Sequence, residues 1–472
     1  MKKSYLAIDM GAGSIRVFLG ELSDTLTIKE IHRFENIPIE SNSHTCWNLP
    51  LIEGQIKIGL NKAVQQSENK IESVGVDSWG VDFVLLAKDG NPIELPVVYR
   101  DSRTDGMQEE WGKIMGRFET FQRTGINFYP FNTLFQLFSI KDTEVLNKAD
   151  KILFTACYIV YYLSGTKINE LSLCSTSQMM NVYSKNWDNE IIEKLGIIRE
   201  QLGEPILAGE NLGKIKTEIC PGDFNVILTP AHDSASALVA IPVRDENFAF
   251  LATGTWCILG TESEQPFISQ LAFENGITNE MTFDGKFRPL KNIMGLWLVQ
   301  QLRKSFDTAF SYEEIEYLCF DTPSAGMVVD ADDQSFYNPT DMFVAFSEYL
   351  NKTYGQILKT PGEYFRCAYE SLALSFAKNL KILEELRGKS FTSIHLTGGG
   401  CQSGFLCQLT ANATGLPVYA GPVEGAIIGN ILVQAMADYT LKDIKEARAM
   451  VGSSFKICTY LPQKDSSDII CK

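Results

Sequence analysis

An aspartate, two glycines, a serine and an arginine fall within eight residues, Asp9 to Arg16, in the stretch LAIDMGAGSIRVFLGEL. A strand that ends on an acid, turns on glycines and leaves again as a strand suits one chemistry. The turn offers backbone N–H groups to an anion, and the acid stands beside it. The stretch is not a dinucleotide fingerprint, because Arg16 stands where the third glycine belongs and Ile15 to Leu22 carry strand-forming side chains. Nor is it a P-loop, which needs a closing Gly-Lys-Ser/Thr. The competing reading is a plain hairpin with glycine at its tip and a solvated acid. Arg16 either faces phosphate or pairs with a surface acid.

A second acid, Asp233, sits in PAHDSASAL, after an apolar run and before a row of small residues. There an aspartate either caps a helix, a stabilisation of about 1 kcal/mol, or serves as a general base. Phosphoryl transfer needs such a carboxylate beside the attacking hydroxyl, donors that hold the phosphates, and Mg²⁺ to neutralise charge. Thr255, next to Gly254 in ATGTWCIL, offers a hydroxyl and backbone to phosphate, or is simply a β-turn. The TGGG of Thr397 to Gly400 opens the backbone to a phosphate, an adenine ring or a packed strand. Asp9 suits Mg²⁺ held through water, since magnesium takes only one or two carboxylates. Trp79 and Gly80, with Asp77 and Asp82 around them, form a sugar platform or plain core. Asn292 enters a segment of helical spacing as a cap or ligand contact, with Gln300 about two turns on.

These residues need elements to hold them. TLTIKEIHRF continues the opening hairpin as a third antiparallel strand, and LPLIEGQIKIGLNKAVQQ has the apolar spacing of a helix. Two strands flank DSWG, a mostly helical pattern runs from Thr143 to about Leu195, and FNVILTPAHDSASALVA reads strand, loop, helix. The second half begins again at Asn247 with strand, Gly-Thr turn and strand. GEYFRCAYESLALSFAKNLKILEEL is a long helical run, SIHLTGGG a strand and glycine loop before a helix, and PVYAGPVEGAIIGNILVQAM a strand then a helix. Each half thus opens on a strand, glycine turn and strand with hydroxyls at the tip. Two similar lobes, each with a phosphate-binding turn, predict a nucleotide held in the cleft between them.

The chain's 472 residues exceed one core, so two or three domains are expected. A formal net charge of −16 argues against nucleic acid, whose affinity comes from Lys and Arg. Eleven cysteines, Cys471 among them, include no Cys-x-x-Cys and read as reduced thiols of a cytoplasmic protein. The four scattered histidines suggest no structural zinc. No stretch approaches the roughly 18 apolar residues of a membrane span, and Tyr5 to Ile8 is too short for a signal-peptide core.

Taken in order, Asp9 to Arg16, GVDSWGVDFVLL, YRDSRT, GINFYPFNTLFQL, AHDSASA, GTWCILG, LKNIMGLWLVQ, GGGCQ and GPVEGAIIGN resemble the FGGY family of carbohydrate kinases, from about residue 5 to 435. NIMGLWLVQ and GVDSWGVDFVLL resemble most the branch acting on L-rhamnulose. The resemblance implies an α/β protein of two ribonuclease-H-like lobes, the actin-like ATPase fold, with an N-terminal lobe over 1–243 and a C-terminal lobe over 244–472. It implies Asp233 as the base, Gly80, His232, Asp233, Ser234 and Asn292 facing the sugar, and Asp9 on the metal. Ala12, Gly13, Ser14, Ile15, Arg16, Thr255, Gln300 and Gly399 are implied on the ATP side. The implied reaction moves the γ-phosphate of ATP to the C1 hydroxyl of L-rhamnulose with Mg²⁺, in the cytoplasm, by a monomer or homodimer with no nucleic-acid or membrane partner. Ile15 departs from the usual glycine, Ser234 from the common threonine and Cys257 from the usual serine. A kinase for a related ketose such as L-fuculose is the near alternative. An actin-like or chaperone-like ATPase is the distant one, and it predicts no base beside a sugar pocket.

Overall fold

A computed structural model describes residues 2–243 and 245–463; Cys471 lies outside the described residues. The chain forms two compact units, neither contiguous: Met1–Ala240, Glu262–Pro289 and Gly425–Ser454 in the first, and Ile241–Thr261, Leu290–Glu424 and Phe455–Lys472 in the second. A single cut at 243/244 therefore marks only the first crossing between them.

The sheet of the first unit is built outward from β1 (Lys3–Met10), whose apolar run is buried almost end to end. A strand buried on both faces has no polar alternation to keep, and this one sits at the centre of its sheet. It pairs antiparallel with β2 (Ser14–Leu22), which pairs antiparallel with β3 (Leu26–Glu35), the exposed edge. On the other side β1 lies parallel to β4 (Ile71–Ser78). Beyond it β5 (Asn211–Lys214) and β6 (Asn225–Ile227) complete the order β3-β2-β1-β4-β6-β5. Helix α1 (Leu49–Gln66) begins at the Asn48 cap and buries Leu49, Ile52, Ile56, Leu60 and Ala63 at three- and four-residue spacing, as an amphipathic helix must.

Two further helices of this unit, α2 (Asp233–Val239) and α3 (Gly425–Ala437), pack tightly together and α3 lies on the sheet. Glycine sets the approach. A Cβ on Gly429 would stand 1.8 Å from the Ser236 carbonyl oxygen, one on Gly20 2.5 Å from Ile431, and one on Gly75 2.4 Å from Asn430.

The second unit repeats the same sheet. Strands β7 (Phe248–Thr253) and β8 (Trp256–Gly260) form the central hairpin, and β9 (Phe287–Met294), which enters from the first unit, pairs antiparallel with β8. On the other side of β7 come β10 (Ser393–Gly398) and β11 (Val418–Ala420), both parallel, and then β12 (Cys458–Tyr460), antiparallel. Six strands of this seven-stranded sheet, in the order β9-β8-β7-β10-β11-β12, thus follow the same sequence of directions as β3-β2-β1-β4-β6-β5, and Ile277–Met281 lies beyond β9. The long helical run is one helix, Pro361–Arg387, started by a Thr360–Glu363 capping box and closed at Gly388.

Two sequence expectations are corrected. Asn292 does not enter a helix: it lies in β9 opposite Ile258, and the helix begins only at Trp297. Gly295 separates the two, and a Cβ there would stand 2.6 Å from the Cys257 backbone nitrogen. The stretch from Thr143 to Leu195, expected to be mostly helical, breaks into short pieces. Short helices alternate with strands such as Lys151–Phe154, which pairs antiparallel with Phe83–Leu86. Among the described residues the ten cysteines are all free thiols, and no helix is long and apolar enough to cross a membrane.

Candidate active site

Asp9 ends β1, where the ladder sets it opposite Arg16 on β2 and Asp77 on β4. The hairpin between them is tight. Gly11 donates its N–H to the Ser14 carbonyl at 2.9 Å, and a Cβ on Gly11 would meet that same oxygen at 2.9 Å. Asn36 straps the tip from outside, donating its backbone N–H to Gly13 and its side-chain amide to Gly11. Ala12 and Gly13 form the tip, and a Cβ on Gly13 would meet nothing within 4 Å. Ile15 is fully buried in the core, so only its backbone is turned to other uses. Arg16 pairs with a buried acid rather than a surface one: its Nε donates to Asp9 Oδ2 at 2.9 Å, and Nη2 donates to the same oxygen.

Asp77, which the sequence offers only as one of two acids around Trp79 and Gly80, joins this cluster of carboxylates. It is wholly buried, and Asn430 on α3 donates to its Oδ2 at 2.6 Å while Oδ1 has no partner. Burial, then the charge of Asp9, hold its carboxyl well above the ordinary aspartate range; the Asn430 hydrogen bond opposes them, and the charge of Asp233 adds to the rise. Asp9, Asp77 and Asp233 therefore share one electrostatic neighbourhood. Among the described residues no His, Cys, Asp and Glu group forms a closed metal cage.

The AHDS segment lies against the end of β4. Ser78 donates its N–H to the Ala231 carbonyl at 2.8 Å, and Ser78 and His232 form a parallel bridge. From the other side buried Glu170 accepts the Ala231 N–H at 3.0 Å, and Ser172 accepts the His232 N–H at 3.3 Å. The backbone before Asp233 is thus held by both neighbours. Asp233 is the first residue of α2 rather than its cap, and it accepts the Ser234 N–H at 2.6 Å. Its side chain is 38% exposed. Desolvation raises its pKa, with the charge of Asp9 acting in the same sense and His232, the Ser234 N–H and Arg288 acting against both.

His232 Nε2 lies 3.5 Å from Asp233 Oδ1 and 3.4 Å from where a Cβ on Gly80 would be. Thr176 lines the same space at 3.4 Å. Glycine at position 80 therefore leaves a hollow lined by an imidazole and a hydroxyl beside the Asp233 carboxylate. Trp79 is not a sugar platform. It is buried, and its indole N–H donates to Asp82 at 2.9 Å, as does that of Trp47 at 2.7 Å. Burial pushes the Asp82 carboxyl up to about 6, against the pull of Trp47, Trp79, Gln136 and Arg103.

The remaining sequence candidates, Thr255, Asn292, Gln300 and Gly399, belong to the second unit. Thr255 forms the β7–β8 turn with Gly254, whose N–H donates to the Trp256 carbonyl at 2.9 Å, and its own carbonyl accepts the Gly295 N–H. Gln300 is half-buried on the helix Trp297–Ser305. The three glycines of TGGG divide. A Cβ on Gly398 would stand 2.4 Å from the Thr253 carbonyl oxygen, and one on Gly400 2.7 Å from Thr253 Oγ1, so strand packing accounts for both. Gly399 is exposed, and a Cβ there would meet nothing within 4 Å. It is the glycine open to another body.

Comparison with known proteins identifies the family and the fold. Models of the N-terminal and C-terminal domains of the FGGY family of carbohydrate kinases match residues 4–240 and 249–437. A rhamnulokinase of Bacillus subtilis (strain 168) is 37% identical over 473 residues, covering 99% of this chain and 97% of its own length. A rhamnulokinase of Halalkalibacterium halodurans is 38% identical over 461 residues, covering 97% and 98%. Among solved structures, xylulose kinase from Lactobacillus acidophilus superimposes with a TM-score of 0.82 at 17% identity, over 98% of this chain and 94% of that one. Plasmodium falciparum glycerol kinase does so with a TM-score of 0.79 at 15% identity and the same coverage. At such identities the structural likeness is one of fold.

Proposed function

The chain belongs to the FGGY family of carbohydrate kinases, and from that premise we propose that it transfers the γ-phosphate of ATP to the C1 hydroxyl of L-rhamnulose, giving L-rhamnulose 1-phosphate and ADP. The reading draws its substrate from the full-length likeness to rhamnulokinases. It draws its chemistry from one observation: a partly exposed carboxylate, Asp233, at the first turn of a helix, beside His232 and the hollow left by Gly80.

In this mechanism Asp233 accepts the proton of the C1 hydroxyl as it attacks. Its raised pKa moves a carboxylate toward the range where a general base is effective. His232 and Ser234, with Gly80 leaving room and Asn292 from the second unit, hold the sugar. The hairpin tip from Ala12 to Arg16, Thr255, Gln300 and Gly399 hold the nucleotide. The donor set fits Mg²⁺ bound chiefly by nucleotide phosphates, with Asp9 as its protein anchor and no closed cage around it. A metal ion held there would supply positive charge to offset that of the transferring phosphoryl group. Arg16 holds the Asp9 carboxylate in place through its two donors. A reaction that draws on ATP supports a cytoplasmic place of work.

The test is ADP release by the purified protein with Mg-ATP and L-rhamnulose, L-fuculose, L-ribulose or D-xylulose. A strong preference for L-rhamnulose is expected. Preference for another ketose overturns the assignment of the sugar to Gly80 and Asn292, and ATP turnover without any sugar phosphate overturns the kinase reading.

A further inference from the structure

Behind His232 lies a buried ion pair that none of the roles above uses. Arg288, fully buried in β9, spends its guanidinium on four contacts. Nε donates to the Met281 carbonyl at 3.2 Å and Nη1 to Ser234 Oγ at 2.9 Å. Nη2 donates to Glu280 Oε2 and lies 2.6 Å from His232 Nδ1. Glu280 Oε2 is itself 3.0 Å from that same Nδ1. Glu280 and Arg288 come from either side of the Asp284-Gly285 turn, which the Thr282 N–H closes onto Lys286.

These contacts decide where the imidazole keeps its proton. A guanidinium has five N–H donors and no acceptor. A contact of 2.6 Å between Nη2 and Nδ1 is a hydrogen bond only if Nδ1 presents its lone pair. One Nη2 hydrogen then serves Glu280 and the other serves the ring. The neutral ring must carry its proton on Nε2, the nitrogen that faces Asp233 at 3.5 Å and the hollow beside Gly80. Without Arg288 the order reverses. A carboxylate 3.0 Å from Nδ1 then draws the proton to that nitrogen and leaves Nε2 as an acceptor on the Asp233 side. Ser234 Oγ lies 3.3 and 3.2 Å from the two ring nitrogens, off the axis of either. It accepts from Arg288 Nη1.

Building on the sugar-kinase reading of the site, we propose that Glu280 and Arg288 are positioning residues that hold His232 as the Nε2–H tautomer, with that proton aimed at the Asp233 carboxylate and the acceptor sugar. Glu280 keeps Arg288 in place. Against the rise that burial causes, the Arg288 guanidinium holds its carboxyl down at about 2, so it stays a full countercharge to that guanidinium.

The test is a long-range ¹H–¹⁵N correlation spectrum of the full-length protein labelled with ¹⁵N-histidine, recorded without sugar. There are only four histidines, and the signals of His232 are those lost in His232→Asn. The expected spectrum is a neutral ring protonated at Nε2. Arg288→Met should move the proton to Nδ1 and raise KM for the sugar about tenfold, the worth of one oriented hydrogen bond, with KM for ATP unchanged. Glu280→Gln, which keeps an acceptor for Nη2, should keep the Nε2–H tautomer. A native ring protonated at Nδ1 overturns the proposal without any variant, and so does an Arg288→Met protein with unaltered tautomer and unaltered sugar KM. If the tautomer is as stated but no ketose is phosphorylated, the proposed activity fails and the positioning of His232 stands.

Discussion

Asp233 and Asp82 are both carboxylates that burial pushes toward the protonated form, and they use that push differently. Asp233 is 38% exposed at the start of α2, beside His232, where we propose that it acts as the base. Asp233→Asn should lower kcat about 10²–10⁴-fold, the usual worth of a general base, while isothermal titration still detects ATP. Near-normal turnover would remove the residue from that role. Asp82 is buried, and its oxygens accept two indole N–H groups and the Gln136 amide, which fixes Trp79 and hence Gly80 beside it. With a folded pKa of about 6 against 3.8 for the free group, the folded state binds more protons than the unfolded state between those values. Stability therefore falls as pH rises from about 4 through about 6, by about 3 kcal/mol in all. Asp82→Asn should flatten this part of the stability profile in urea titrations from pH 4 to 7.5. An unchanged slope would place the effect elsewhere.

Elements rather than residues decide how near Asp233 stands to its partners. Helix α2 leans on α3 through Gly429, and an added methyl there would collide with the Ser236 carbonyl at 1.8 Å. Gly429→Ala should cost about 1–3 kcal/mol by overpacking and lower kcat as well, because the helix that yields carries Asp233, the proposed base. Gly54→Ala on the outer face of α1 meets nothing within 4 Å and should be neutral or slightly stabilising. Thermal unfolding of the two variants beside their kinetics tests this; equal losses in both would rule out the close contact as the cause. The same elements show what the sequence disclosed. Asp9 and Asp233 were legible because each sits where an apolar run breaks at a turn, a pattern contained in a dozen residues. The path from Asn292 to Gln300 was not. Its apolar spacing suits a helix, and the chain stays extended to Met294 because β9 pairs with β8, a partner some thirty residues away. Glu280 and Arg288 were visible only as charges in otherwise strand-like runs. Their meaning depends on His232, roughly fifty residues off, and no local pattern carries that.

On the scale of the whole molecule, one sheet order occurs twice, each time with a glycine hairpin at the centre. The sequence disclosed this repeat through its two strand–turn–strand openings. It did not disclose that the first unit closes only with segments 262–289 and 425–454. A chain ending at residue 243 lacks Glu280, Arg288 and α3. It should show no cooperative urea transition by circular dichroism, although it contains every strand of the β1–β6 sheet. A sharp transition in that fragment would mean that α3 is dispensable for the core.

The late position of α3 also has a cost in time. At about 5–20 residues per second, roughly 10–40 s pass on the ribosome between the appearance of residue 240 and that of residue 437. Throughout that interval the sheet surface around Gly20 and Gly75 lacks the helix that covers it in the finished protein. The nascent chain must wait with a bare apolar face, and it is then, rather than after release, that it most needs a holding chaperone.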